Sequence, residues 1–232
     1  MARFLVIAGS SCIGQACTER LRNIGHEVLT TARDASRITP DFLADARDFE
    51  AIDDVFQSAG PIDGVVNCAG SLLLRAAHMT SREQLEDTIG ASLTTAFATV
   101  RATGRHMTSG GSVVLISSAA ALEGLSNHEA IAAAKAGIIG LVLSAAATYA
   151  PNNLRFNAIA PGLIASPLTE SLVKNDLSRK ASEAMHALGR LGTADDAASA
   201  ICFLLDPDNN WITGQVLGVD GGLSRVRPKM RI

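Results

Sequence analysis

Short, continuous apolar runs recur along the whole chain, and most are followed by a longer segment with helical spacing. The runs are residues 4–8, 27–31, 42–44, 64–67, 112–117, 155–159 and 216–219. Apolar residues at every position, rather than alternate ones, belong to strands covered on both faces, as in parallel sheets. Residues 14–24, 49–59, 82–107, 129–149 and 195–205 read as the intervening helices. This alternation points to an α/β fold: about seven parallel strands in a doubly wound sheet with helices on both faces. No linker-like shift in composition and no repeat divides it, so residues 1–232 read as one domain.

Composition narrows the partners. A net charge of −3 gives no basic footprint for nucleic acid, and the locally basic end "RVRPKMRI" reads as a solvated tail. Four cysteines (Cys12, Cys17, Cys68, Cys202) show no CxxC pair and no metal-ligand spacing. We expect no metal, and reduced thiols in a cytoplasmic protein. The N-terminus enters an apolar run at once and reads as a first strand rather than a signal peptide. The longest uncharged apolar stretch, 136–150, is shorter than the roughly 20 residues that span a bilayer, so no membrane segment is expected.

"FLVIAGSSCIGQA" sets a strand, a small-residue turn and a helix in immediate succession. Such a turn lets backbone approach a pyrophosphate, whose charge the helix N-terminus stabilises. Here the chain resembles the short-chain dehydrogenase/reductase family, whose turn reads TGxxxGxG. Ile7 and Ala8 stand for its Thr-Gly, Cys12 for the second glycine and Gly14 for the third. Further landmarks follow in order over residues 3 to 223: "NCAG", "LISSAAA", "NAIAPGLIASPL" and "ITGQVLGVDGG". The resemblance implies a single-domain Rossmann-type fold. It implies cofactor contacts from Ala8, Gly9, Ser10, Ser11, Cys12, Ile13, Gly14, Asn67, Ala69, Gly70, Pro161, Gly162 and Ile164. Asp45 resembles the family's aspartate on the adenine amino group. NAD-selective members carry an acid at the end of the second strand; this chain has Ala32 and then Arg33. An arginine pairs with a 2′-phosphate that an acid repels, so NADP is expected rather than NAD.

The resemblance also implies a tyrosine that donates a proton, a lysine four residues later, a serine on the substrate oxygen and an asparagine that anchors a relay water. Lys135 and Ser118 fit two of these roles, and Lys135 would also hold the nicotinamide ribose. Ile131 occupies the tyrosine position and Ser92 the asparagine position. An isoleucine donates no proton at any pH, so the usual mechanism is excluded as written. Enoyl reductases of this superfamily place their tyrosine seven residues before the lysine, and His128 stands there. The expected activity is therefore reduction of a small, mainly apolar carbonyl or activated alkene. His128, or water held by Ser118, would be the proton donor. Two alternatives stay open: an NADP-binding protein without turnover, serving as sensor or oligomer partner, and a non-redox enzyme on the same fold. Leu72, Leu73, Leu74, Leu122 and Leu125 suggest an apolar substrate pocket, and residues 163–190 a covering lid. Family members pair their two long central helices, which implies a homodimer or homotetramer.

Overall fold

The computed structural model describes residues 1–227; residues 228–232 of the basic end lie outside the described residues. Seven strands form one sheet: β1 (Arg3–Ile7), β2 (Glu27–Ala32), β3 (Phe42–Leu43), β4 (Gly64–Asn67), β5 (Gly111–Ile116), β6 (Leu154–Pro161) and β7 (Val216–Val219). Their order is β3-β2-β1-β4-β5-β6-β7, and every pair is parallel. The direction of winding reverses between β1 and β4, and the crevice beyond their carboxyl ends is where such sheets bind ligands.

Two apolar cores explain the continuous runs. On one face α1 (Cys12–Asn23) and α8 (Ala194–Leu205) cover Phe4, Val6, Val66, Val114 and Ile159. On the other, α2 (Phe49–Ala59), α4 (Thr95–His106) and α5 (Glu129–Tyr149) cover Leu5, Ile7, Val65, Val113 and Leu115. Leu5, Val6 and Ile7 are all fully buried although their side chains alternate between faces. Each large apolar side chain so buried contributes roughly 1.5–3 kcal/mol.

The helix expected over residues 82–107 is divided. It runs as α3 (Arg82–Ile89), a π-helical turn (Gly90–Thr94) and then α4. The Thr95 hydroxyl donates to Ala91 O and Ser92 O at 3.1 and 3.0 Å, occupying carbonyls at the widened turn. Residues 163–190, between β6 and α8, carry α6 (Glu170–Val173) and α7 (Asp176–Met185). Among the described residues one span, Glu129–Asn152, is long and apolar enough to cross a membrane, with mean hydropathy 1.9. Its Ile138, Val142, Ala145 and Ala146 pack into the core, and its Lys135 opens into the cavity described next.

Candidate active site

The turn after β1 is shaped by two residues. Ala8 takes the left-handed backbone conformation, φ 56°, that glycine enters freely. Gly14 has no space for a side chain: a Cβ there would lie 2.7 Å from Ala8 O and 2.9 Å from Gly9 Cα. Ser11 caps α1 by accepting the Gly14 N–H at 3.1 Å. Cys12 and Ile13 open the helix, so their N–H groups have no intrahelical acceptor and point out of its positive end.

These groups form one wall of a cavity of about 800 Å³ over the carboxyl ends of the strands. At its outer end stand Arg33, Arg37, Asp45 and Arg47. The acid nearest in sequence to Arg33, Asp34, is turned onto Ser36, whose N–H it accepts at 2.9 Å. Those Ser36 bonds, aided by Arg33 and Arg37, hold its carboxyl below the usual range. Asp45 accepts the Arg47 N–H at 2.9 Å, which makes it a turn residue that also faces the cavity.

At the inner end, Lys135 is 6% exposed on α5. Its ammonium donates to Ile116 O at 2.7 Å, its one hydrogen bond among the described residues, leaving two donors unused. Burial pushes its pKa down to about 8, against a smaller upward pull from Cys68. Ser117 holds the helix in place by donating to Lys135 O at 2.9 Å. Ser118 Oγ accepts the Ala120 N–H at 3.1 Å, which leaves the hydroxyl proton free. Buried Ile131 and half-buried His128 line the same wall. The His128 Nδ1 lies 2.7 Å from Ser126 O; a carbonyl only accepts, so Nδ1 carries a proton and Nε2 is the nitrogen left for chemistry. The chain has one tyrosine, Tyr149. It sits fourteen residues beyond Lys135 on α5, about 21 Å along the axis, and packs on Phe156.

Residues 7–224 match the family described as enoyl-(acyl carrier protein) reductase. The 3-oxoacyl-(acyl-carrier-protein) reductase MabA of Mycobacterium tuberculosis is 32% identical over 229 residues, covering 94% of this chain and 91% of that protein. The chain belongs to the short-chain dehydrogenase/reductase family. Another relative, the 3-oxoacyl-(acyl-carrier-protein) reductase FabG of Thermotoga maritima, is 35% identical over 75% of this chain and 71% of that one. Among solved structures, ElxO with NADP bound superposes with a TM-score of 0.88 at 27% identity, covering 96% of this chain and 99% of that one. The ligand-free aldohexose dehydrogenase of Thermoplasma acidophilum gives 0.89 at 28% identity, over 100% and 97% of the two chains.

Most of the residues expected at the site line this one cavity: Ala8, Ser10, Ser11, Cys12, Ile13, Arg33, Asp45, Ala69, Gly70, Ser118, His128, Lys135, Pro161, Gly162 and Ile164. Gly9, Gly14 and Asn67 stand behind its wall. Asn67 is buried, donating to Thr99 Oγ1 at 2.9 Å and accepting the Ala69 N–H at 2.8 Å, so it shapes the 68–70 segment from within. Of the expected leucines, Leu72, Leu74 and Leu125 line the cavity, and Leu73 and Leu122 do not. Sequence reasoning missed Arg37, Arg47 and His186. Arg37 had a signal, lying four residues after Arg33 in one loop; His186 had none. Ser92 is fully buried in the π-helical turn, and among the described residues its hydroxyl has no partner.

Proposed function

We propose that this chain is an NADP(H)-dependent reductase of a small, mainly apolar carbonyl or activated alkene, with His128 as proton donor. The observation that carries the reading is one cavity joining the capped phosphate turn, Arg33, Lys135, Ser118 and His128 around Ile131. The residues fit the cofactor: free N–H groups at the start of α1 suit a pyrophosphate, Arg33 a 2′-phosphate, and the two unused Lys135 donors ribose hydroxyls. When bound, NADPH supplies a hydride.

The chain's own residues do the rest. Ser118 donates its free proton to the substrate oxygen and orients it. His128, charged, releases the Nε2 proton to the oxygen or carbon that gains electron density, while Ser126 O steadies the ring through Nδ1. Leu72, Leu74, Leu125 and Ile131 exclude water from this step. The names of the relatives place a 3-oxoacyl thioester first in the substrate panel. The exposed face of α5 is mostly small (Ala133, Ala136, Gly140, Ala147) with one exposed leucine, Leu143, and this supports helix pairing in a homo-oligomer.

The test is NADPH consumption by the purified protein across ketones, 3-oxoacyl thioesters and enones, alongside a binding titration. Binding without consumption on every substrate leaves the non-catalytic reading standing, in which Lys135 is kept for the ribose alone. Product formed without cofactor consumption indicates non-redox chemistry.

A further inference from the structure

None of the residues of α7 is buried, yet His186, which follows it, is 4% exposed. Its ring bridges two segments. Nδ1 lies 2.7 Å from Ser182 O on α7 and so must donate to that carbonyl. Nε2 is then the bare nitrogen, and it accepts the Leu163 N–H at 3.2 Å. Only one tautomer of the neutral imidazole makes both bonds. The approach is close enough to dictate a neighbour: a Cβ on Gly162 would lie 2.6 Å from Nε2, so glycine there is what admits the ring.

Leu163 lies between Gly162 and Ile164, in the segment that continues β6 along the cavity. That segment is also tied by Gly162 N to Val219 O at 3.1 Å, by Gly192 N to Leu163 O at 2.9 Å and by the Thr169 hydroxyl to Ile164 O at 2.6 Å. The imidazole therefore connects the covering segment, through Ser182, to the backbone of the cavity wall.

We propose that His186 is a positioning residue whose neutral ring latches α7 to the cavity wall, and that protonation of the ring releases it. A proton on Nε2 sets a donor against the Leu163 N–H, so the bond is lost and two donors face each other. Asp220, after β7, is the carboxylate near enough for the ring to act on it electrostatically. Its carboxylate takes the N–H groups of Gly222 and Ser224, both at 2.9 Å. Among the described residues, Glu183 is paired with Arg179 on α7, and Arg190 with Asp196. The latch does not rest on the proposed function, and the test reads the latch alone.

The experiment is hydrogen exchange on the cofactor-free protein at pH 8 and pH 5.5, corrected for intrinsic rates and referred to the sheet core. It follows residues 174–188 in the wild type, His186→Gln and His186→Leu. Glutamine offers an amide N–H to Ser182 O and a carbonyl to the Leu163 N–H, and it does not titrate. In the wild type, protection of this segment should fall tenfold or more at pH 5.5. In His186→Gln it should be the same at both pH values, and His186→Leu should resemble the acid wild type at both. Equal pH responses in the wild type and His186→Gln would overturn the proposal, and so would full protection in His186→Leu at pH 8. Should the leucine variant fail to fold, the glutamine comparison decides alone.

Discussion

The two ends of the cavity are built on different physics. The outer end is backbone and fixed charge: N–H groups at the start of α1, a serine cap, and arginines on the loop after β2. The inner end is apolar, with Leu72, Leu74, Leu125, Ile131 and Leu168 around one buried cation and one half-buried imidazole. On the proposed function, groups that recognise a dinucleotide need only be present and unpaired, and the main-chain N–H of Cys12, at a glycine position of the family turn, would serve whatever its side chain. Groups that move a proton need an acid at one place, and there an isoleucine stands. On the proposed function, binding and turnover would be separable in this molecule.

The largest expected effect tests that separation. His128→Ala should lower turnover 100- to 10,000-fold, the usual range for a general acid, while NADPH affinity changes less than about twofold. Turnover that survives His128→Ala but is lost with Ser118→Ala would assign the proton to serine-held water. Ile131→Tyr sharpens the point by placing a phenol one turn before Lys135, where ordinary carbonyl reduction should appear or increase.

Lys135 belongs to both ends, and Lys135→Met should divide its effects. NADPH binding should weaken roughly 10- to 150-fold, the worth of a charge-assisted hydrogen bond. The unliganded protein should gain stability at pH 7, by roughly 3 kcal/mol, as a buried charge is removed. The pH dependence has a definite sign. Burial lowers the folded-state pKa to about 8, so between pH 8 and 10.5 the unfolded chain holds a proton that the folded one has released. Stability attributable to Lys135 therefore rises with pH across that window. Chemical denaturation of wild type and variant at pH 7, 8 and 10 isolates it; a constant difference between them would refute the assignment.

A smaller effect is expected at the outer end. Arg33→Ala should reduce the preference for NADPH over NADH about tenfold, since exposed Arg33 is partly screened by solvent. Equal affinities for the two cofactors in the wild type would remove the arginine from this role. Smallest of all, Ala8→Gly should raise stability by up to about 1 kcal/mol, because glycine enters a φ of 56° without strain. No rise in melting temperature would show that the turn accommodates alanine at no cost.

All seven strands, and the helices at residues 49–59 and 129–149, were legible in the chain because periodicity and apolar content are local. Arg33, Lys135 and Ile131 were legible too, since each sits at a fixed offset from a landmark of the family. Other features depend on neighbours that are distant in sequence. Strand β4 lies beside β1, and that pairing places residues 68–70 in the cavity wall while Asn67 turns inward to Thr99. The π-helical turn arises where Thr95 bonds two carbonyls, a competition with helical hydrogen bonding that apolar spacing does not register. His186 carries no motif, and its place in the structure appears only when Gly162, the residue after β6, leaves room for the imidazole that follows α7. Sequence determines which segments form strands and helices, because those preferences act over a few residues. Only the packed structure decides which side chains meet, because each meeting requires the whole sheet to have chosen its order.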